Sequence, residues 1–314
     1  IVNTAHAIDT DRPDVQRFID KLVSKHQFDR TTVQQELRAA QSIQPILTAI
    51  SKPAEKTIPW HEYRARFLID KRIQLAKAFE EEHRPMLNKL AAEGAPVAEI
   101  LGILGVETSY GQNTGRYRVL DALATLGFDY PPRSDFFQYE LEEFFLMTRE
   151  LKIDIKQPLG SYAGAMGSPQ FMPHSYRQFA VDGDQDGHID LWNSWDDILA
   201  SVANYLKQHG WHADEPVLAT AQLSSSDTSA FTIGDVTLNE TVGSLRSKGV
   251  KFATSLPNNA PAVLIALEGK DGPEYRVGFN NFYVITRYNR SPLYANAVYD
   301  LGRAITATDT KNTP

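Results

Sequence analysis

The 314-residue chain contains no cysteine, which excludes disulfides, thiolate metal sites, Cys nucleophiles and a lipid-modified cysteine within the sequence as it stands. It also has no excess of basic charge. Lys+Arg number 32 against Asp+Glu 39, a formal balance of −7, so no nucleic-acid partner is expected to bind through a basic face. No stretch approaches the ~18 apolar residues of a membrane span, so no transmembrane segment is expected. A Gly-Lys-Ser/Thr phosphate loop is absent, the eight histidines show no paired zinc-ligand spacing, and no repeat of fixed period is present. The sequence begins Ile1-Val2-Asn3 with neither Met nor a charged-then-apolar leader, which suggests a removed leader or a trimmed start.

An apolar fraction of 42% and a charged fraction of 23% are ordinary for a globular protein, and the length suggests about two domains. The first ninety or so residues read as helices. Pro13 opens one, with Val15, Phe18, Ile19, Leu22 and Val23 on its stripe. Thr31-Thr32 caps a second, and a long third runs from about Trp60 to near Ala92. Pro96 starts a helix that is apolar nearly all round, from Val97 through Val106, and such a helix is expected in the middle of a domain. Further helices are expected over 135–151, 174–181 and 197–208. From about Glu215 the pattern changes to short strands, Pro216–Leu223, Pro261–Leu267 and Tyr275–Phe279, with turns such as Ser224-Ser225-Ser226 between them. A short helix is expected over Thr241–Ser247, and an amphipathic one over Pro292–Ala307 closes the chain. The expected partition is 1–94, 95–213, 214–280 and 281–314.

Three segments stand apart. Glu107 ends the apolar helix in Gly105-Val106-Glu107-Thr108, where burial and the negative end of the helix dipole both favour its protonated form, as a general acid needs. An ion pair with Arg116 or Arg118 explains the residue equally well. The second segment is 160–173, whose glycines and small residues let backbone approach a ligand. Ser161 and Gln170 supply polar groups there, with Met166, Phe171 and Met172 as apolar walls. Tight helix contacts are the competing reading. In the third, Asn281–Asn289, Tyr283 and Tyr288 suit stacking on a sugar, although read in isolation the segment fits better as aromatics at a strand end packing into the core.

A fourth, Asp182-Gly183-Asp184-Gln185-Asp186-Gly187-His188, opens like an EF-hand loop, with carboxylates at positions 1, 3 and 5, Gly at 6 and the His188 carbonyl at 7. Position 12 is Asn193 where a Glu is usual. An all-oxygen set points to Ca2+ in a structural role.

Together Gly105-Val106-Glu107-Thr108, Leu120-Asp121-Ala122-Leu123-Ala124-Thr125-Leu126, Gly164-Ala165-Met166-Gly167 with Gln170-Phe171-Met172-Pro173, and Ile285-Thr286-Arg287-Tyr288-Asn289 resemble the membrane-bound lytic murein transglycosylase B family, from about Phe18 to Gly302. The resemblance implies a mainly α (α+β) fold: a lysozyme-like helical core, a helical N-terminal domain and a small β-containing domain. It implies a carbon–oxygen lyase that cuts the MurNAc–GlcNAc β-1,4 bond of peptidoglycan without water and leaves 1,6-anhydromuramoyl ends. Glu107 becomes the single acid/base. Ser161, Gln170, Tyr283 and Tyr288 become glycan-positioning groups, with Met166, Phe171 and Tyr205 beside them. Arg133 matches a peptide-stem contact, although Pro132 stands where a second Arg is expected. In the loop, the closing carboxylate becomes Asp197, with Asp196 next. Glycan strands and cell-wall synthesis enzymes are the implied partners. The periplasm is the implied location, with outer-membrane association through a missing N-terminal lipid anchor left open. The alternatives are a lysozyme-type hydrolase using the same Glu107, and a non-catalytic peptidoglycan-binding protein.

Overall fold

A computed structural model describes residues 5–52, 58–225, 228–232 and 234–306; Ile1–Asn3, Ser226 and Ala307 therefore lie outside the described residues. The chain is mainly helical with small antiparallel sheets, and it groups into two units. One comprises Ile1–Pro53 and Gly111–Ile198, the other Ala54–Tyr110 and Leu199–Pro314. The expected linear partition and this spatial grouping draw different lines, because each unit is assembled from two separate stretches of sequence.

In the first unit, helix Pro13–His26 begins at a proline that has no amide to leave unpaired, and it buries Val15, Phe18, Ile19 and Leu22 on one stripe. Gln27 ends it at φ 57°, where the Phe28 N–H turns back to Leu22 O at 3.3 Å. The next helix, Arg30–Ala39, is capped by Asp29 and not by the threonines, since the Asp29 carboxylate accepts the Thr32 N–H at 2.8 Å.

Helix Val119–Asp129 carries the Leu120–Leu126 motif, and it has no amphipathic stripe because all of Val119–Phe128 is buried. Its two buried polar residues lie four apart and so share a face. Asp121 accepts the Gln41 N–H at 2.9 Å, and Thr125 accepts the Ile43 N–H at 3.0 Å, so the helix stitches down the edge of strand Gln41–Ile43. Arg118 closes its fork on Asp121 at 2.7 and 2.8 Å.

Helix Ser134–Leu151 packs Phe145 against Phe18, with ring centroids 6.1 Å apart. Burial raises the pKa of its Glu142, but Lys21, His26 and Lys25 outweigh that and hold the group down to about 2.

In the second unit, the segment expected as one long helix is three: Trp60–Ala65, Asp70–Glu82 and Arg84–Ala92. Pro85 enforces the second break, since it has no N–H for the preceding turn and its ring crowds that turn's carbonyl. Helix Val97–Thr108 follows, with Pro96 as its N-cap and not its first helical residue. It packs against Pro292–Thr306 at backbone distance. A Cβ on Gly102 would lie 2.2 Å from Val298 O, and one on Gly302 would lie 2.3 Å from Ala98 O. Glycine inside a helix costs about 1 kcal/mol relative to alanine, and here it permits two helix backbones to touch.

The β-containing segment is a five-stranded antiparallel sheet in the order Glu240–Thr241, Pro261–Gly269, Gly272–Gly278, Leu218–Leu223, Val250–Lys251. Val242, Leu245, Leu264, Val277 and Phe279 form its core. The expected short helix is Val242–Ser247, closed by a reciprocal Thr241–Ser244 capping box. Residues 280–288, weighed as a strand end, form helix Asn280–Tyr288 instead. Its buried Asn281 explains the difference: the side chain accepts the His212 N–H at 2.9 Å and donates to the carbonyls of His212 and Glu215.

Candidate active site

Glu107 sits one residue before the end of helix Val97–Thr108, half-buried. The helix stops because Ser109 and Tyr110 both take left-handed backbone angles, φ 50° and 58°, which cost of order 1 kcal/mol or more each in a non-glycine residue. Contacts from within the unit hold that turn. The Tyr110 N–H bonds Leu104 O at 3.1 Å, and its ring stacks on Phe79 at 4.9 Å. Arg72 donates to Gly105 O at 3.2 Å, placing a cation at the negative end of the helix.

The Glu107 Oε1 accepts a hydrogen bond from the Tyr294 hydroxyl at 2.7 Å. Tyr288 lies parallel to Tyr294, with rings 6.5 Å apart, and Tyr205 lies 4.7 Å from Tyr288. The Tyr205 hydroxyl is committed to Arg287 O at 2.7 Å. Burial, and then the charge of Glu107, pushes the phenols of Tyr288 and Tyr294 well up, and burial chiefly does so for Tyr205. All three therefore remain neutral donors, and Glu107 is the carboxylate whose charge acts on each. Arg118, weighed from sequence as its partner, is instead engaged with Asp121.

Tyr294→Phe removes a donor to the ionised carboxylate. The alkaline limb of the kcat/KM profile should then move to higher pH, because the proton leaves Glu107 less readily. An unmoved limb with lowered activity would reduce Tyr294 to a packing role.

In the first unit, residues 160–171 fold as two linked tight turns. Ser161 N–H bonds Ala165 O at 2.8 Å, and Met166 exchanges backbone bonds with Phe171 at 2.8 and 3.1 Å. Gly167, at φ 64°, is required where its Cβ would lie 2.2 Å from Leu191 O. The Ser161 oxygen accepts from Ala163 and Ala165 N–H at 3.2 and 3.1 Å, which leaves its own proton to be donated. Gln170 Nε2 donates to Thr114 O and Gly167 O at 3.0 and 2.9 Å. Ser161 and Gln170 line a groove of about 500 Å³ with Asn113, Thr114, Arg116 and Tyr162. Met166 and Phe171, expected as its apolar walls, are 0% and 2% exposed; they support the turns from beneath and offer a glycan no area.

Arg133 is exposed and lies over the Phe136 ring at 4.3 Å. The Tyr283 ring is covered by Arg287 of its own helix, with the guanidinium 4.0 Å from the centroid.

Within the acidic loop, Asp182, Asp184 and Asp197 bring carboxylate oxygens within 4.8 Å of one another. Asp197, 1% exposed, accepts the N–H groups of Gly183 and Asp190, both at 2.7 Å. Asp186 Oδ1 is turned to the His188 N–H at 2.7 Å. Asn193, at the usual Glu position, instead donates to Asp190 at 2.9 Å. Three converging carboxylates form a hard, all-oxygen donor set suited to a calcium-sized ion.

The family model described as Transglycosylase SLT domain matches residues 10–303. The chain belongs to this family. Its relatives include the membrane-bound lytic murein transglycosylase B of Escherichia coli K12, 40% identical over an alignment of 303 residues that covers 93% of this chain and 82% of that protein. Among solved structures, the catenated lytic transglycosylase SltB1 of Pseudomonas aeruginosa is 46% identical, covering 95% of this chain and 98% of the other at a TM-score of 0.90. The E. coli lytic transglycosylase Slt35 in complex with calcium is 40% identical, covering 96% and 95% at 0.86. SltB3 of P. aeruginosa, in complex with NAG-anhNAM-pentapeptide, is 28% identical, covering 94% and 80% at 0.80. The mainly α fold of this transglycosylase is therefore a lysozyme-like one, and among its described residues no helix is long and apolar enough to cross a membrane.

Sequence reading did not single out Tyr294, the residue that holds Glu107. The structure buries it on the last helix with Val298 and Leu301, the place of an ordinary core residue. The available signal was its hydroxyl, since a buried phenol needs a hydrogen-bond partner.

Proposed function

We propose that this lytic transglycosylase cleaves the MurNAc–GlcNAc β-1,4 bond of peptidoglycan with Glu107 as its single general acid and base. The observation that carries this reading is the carboxylate at the end of the buried helix, held by Tyr294 at 2.7 Å. A pair of carboxylates about 5–9.5 Å apart would suit ordinary glycoside hydrolysis; one carboxylate suffices when the sugar supplies its own nucleophiles. Protonated Glu107 gives its proton to the glycosidic oxygen as the C1–O bond breaks. The N-acetyl carbonyl of the sugar itself meets the positive charge at C1. Ionised Glu107, stabilised by the Tyr294 hydroxyl, then takes the proton of the muramoyl C6 hydroxyl as that oxygen closes on C1. The carboxylate ends as it began, and no water is consumed.

The anhydro sugar named in the complex of the relative SltB3, NAG-anhNAM-pentapeptide, supports this outcome. Gln170 and Arg116 are the groups offered to the glycan beside Ser161, and Arg133 is offered to the peptide stem. Calcium supplies only charge and structure in this reading. Asp182, Asp184 and Asp197 would hold it, joined by Asp186 and the His188 carbonyl, and the calcium complex of Slt35 supports the assignment. Catalysis takes place in the periplasm, where the substrate lies.

Mass spectrometry of purified sacculi digested with the chain tests the reaction. Fragments one water lighter than their hydrolytic counterparts are expected. Reducing-end fragments would instead make this a lysozyme-type hydrolase.

A further inference from the structure

We propose that a second groove in the first unit binds a neutral N-acetylated amino sugar of the same glycan strand, with Trp192 as its platform. This rests on the reading that the chain acts on murein. The groove has a volume of about 670 Å³, and its apolar lining includes Leu151, Ile153, Pro158, Leu159, Ile189 and Trp192. Leu159 and Ile153 are 46% and 37% exposed, so this apolar area is at the surface.

Continuity points to the occupant. Thr114 and Gly115 line this groove and also the one that holds Ser161 and Gln170, so the two share a wall. Gln170 grips that wall through Thr114 O at 3.0 Å. Gly115 sets that wall close against Gly160: at φ 97° its Cβ would lie 2.0 Å from Gly160 O, so no side chain fits between the two backbones.

The platform is fixed before a ligand arrives. Trp192 donates its indole N–H to Leu159 O at 3.1 Å, its ring lies 6.2 Å from Tyr176, and its backbone N–H is held by Asp190 at 2.8 Å. A pre-ordered aromatic loses little freedom on binding. A pyranose offers an apolar C–H face to such a ring and a hydroxyl rim to Gln157, Asn193 and Thr114.

Charge selects the sugar over the peptide stem. The titratable groups lining the groove are Asp190 and His188, and neither Lys nor Arg lines it. A carboxylate-rich stem finds Asp190 there, whereas the first groove carries Arg116.

The test uses the full chain with Glu107→Gln to prevent cleavage, and calorimetric titration with β-1,4-linked N-acetylglucosamine oligomers. Leu159→Glu, at a largely exposed position, and Trp192→Ala should each weaken binding of long oligomers about tenfold and leave the dimer unchanged. With Glu107 intact, the same substitutions should raise KM for long glycan strands and spare the shortest cleaved fragment. Equal binding by the variants, a loss shared by short and long ligands, or capture of free stem peptide in the groove would each overturn the proposal. A chain that binds oligomers as expected but releases no anhydro ends would sink the cleavage reading and leave this groove standing.

Discussion

Glu107→Gln should lower kcat on murein by about 10²–10⁴-fold, the contribution of a positioned general acid, while the protein stays folded and still binds glycan. The amide is nearly the same shape as the acid, and its oxygen can accept the Tyr294 hydroxyl that now donates to Glu107 at 2.7 Å. Packing of Val97–Thr108 against Pro292–Thr306 is untouched, because the glycine contacts lie elsewhere along the helix. What disappears is the proton. Paired turnover and denaturation curves separate the two effects. Retention of kcat would move the acid to another residue, and a matching loss of stability would make Glu107 structural.

Asp197→Ala carries the largest expected effect on stability. The carboxylate is buried and accepts two loop amides at 2.7 Å, from Gly183 and Asp190. Each hydrogen bond to a charged group is worth about 1.5–3 kcal/mol, so a loss of at least about 3 kcal/mol is expected even in chelator. A second loss appears only with metal. Calcium at a hundredfold its Kd stabilises the wild type by about 2.7 kcal/mol, and the variant should show none of that gain. Denaturant titrations of both proteins in calcium and in chelator give the four values needed. Identical calcium-dependent gains in wild type and variant would rule out Asp197 as a ligand; no gain in either would reduce the loop to a polar turn.

Much of the fold was legible where a helix or strand has one wet face. The stripe of Pro13–His26 follows from the helical spacing of its apolar residues, and the strands around Leu218–Leu223 and Pro261–Gly269 from short apolar runs closed by polar turns. Legibility failed where both faces are dry or where one residue cuts a pattern. Val119–Asp129 is buried all round, so its periodicity carried no signal, and the sense of its Asp121 and Thr125 appears only once strand Gln41–Ile43 lies beside them. Pro85 cut a helix whose apolar spacing ran on undisturbed. At the site, Glu107 was visible because a carboxylate is out of place on an apolar helix, and Ser161 and Gln170 because they are polar among small residues. Tyr294 was hidden by its own ring. Met166 and Phe171 are apolar residues in a loop, and sequence alone does not say whether such residues face a ligand or the core; here they face the core.

The clasp on Glu107 also has an order in time. Tyr294 is made 187 residues after the carboxylate it holds, and the helix that carries it packs on Val97–Thr108 at backbone distance, through Gly102 of that helix and its own Gly302. A nascent chain, or one cut short before Pro292, therefore has the acid but neither its hydroxyl donor nor the surface that fixes the helix beneath it. The contact between the carboxylate and its donor therefore forms only once nearly the last of the described residues have been made.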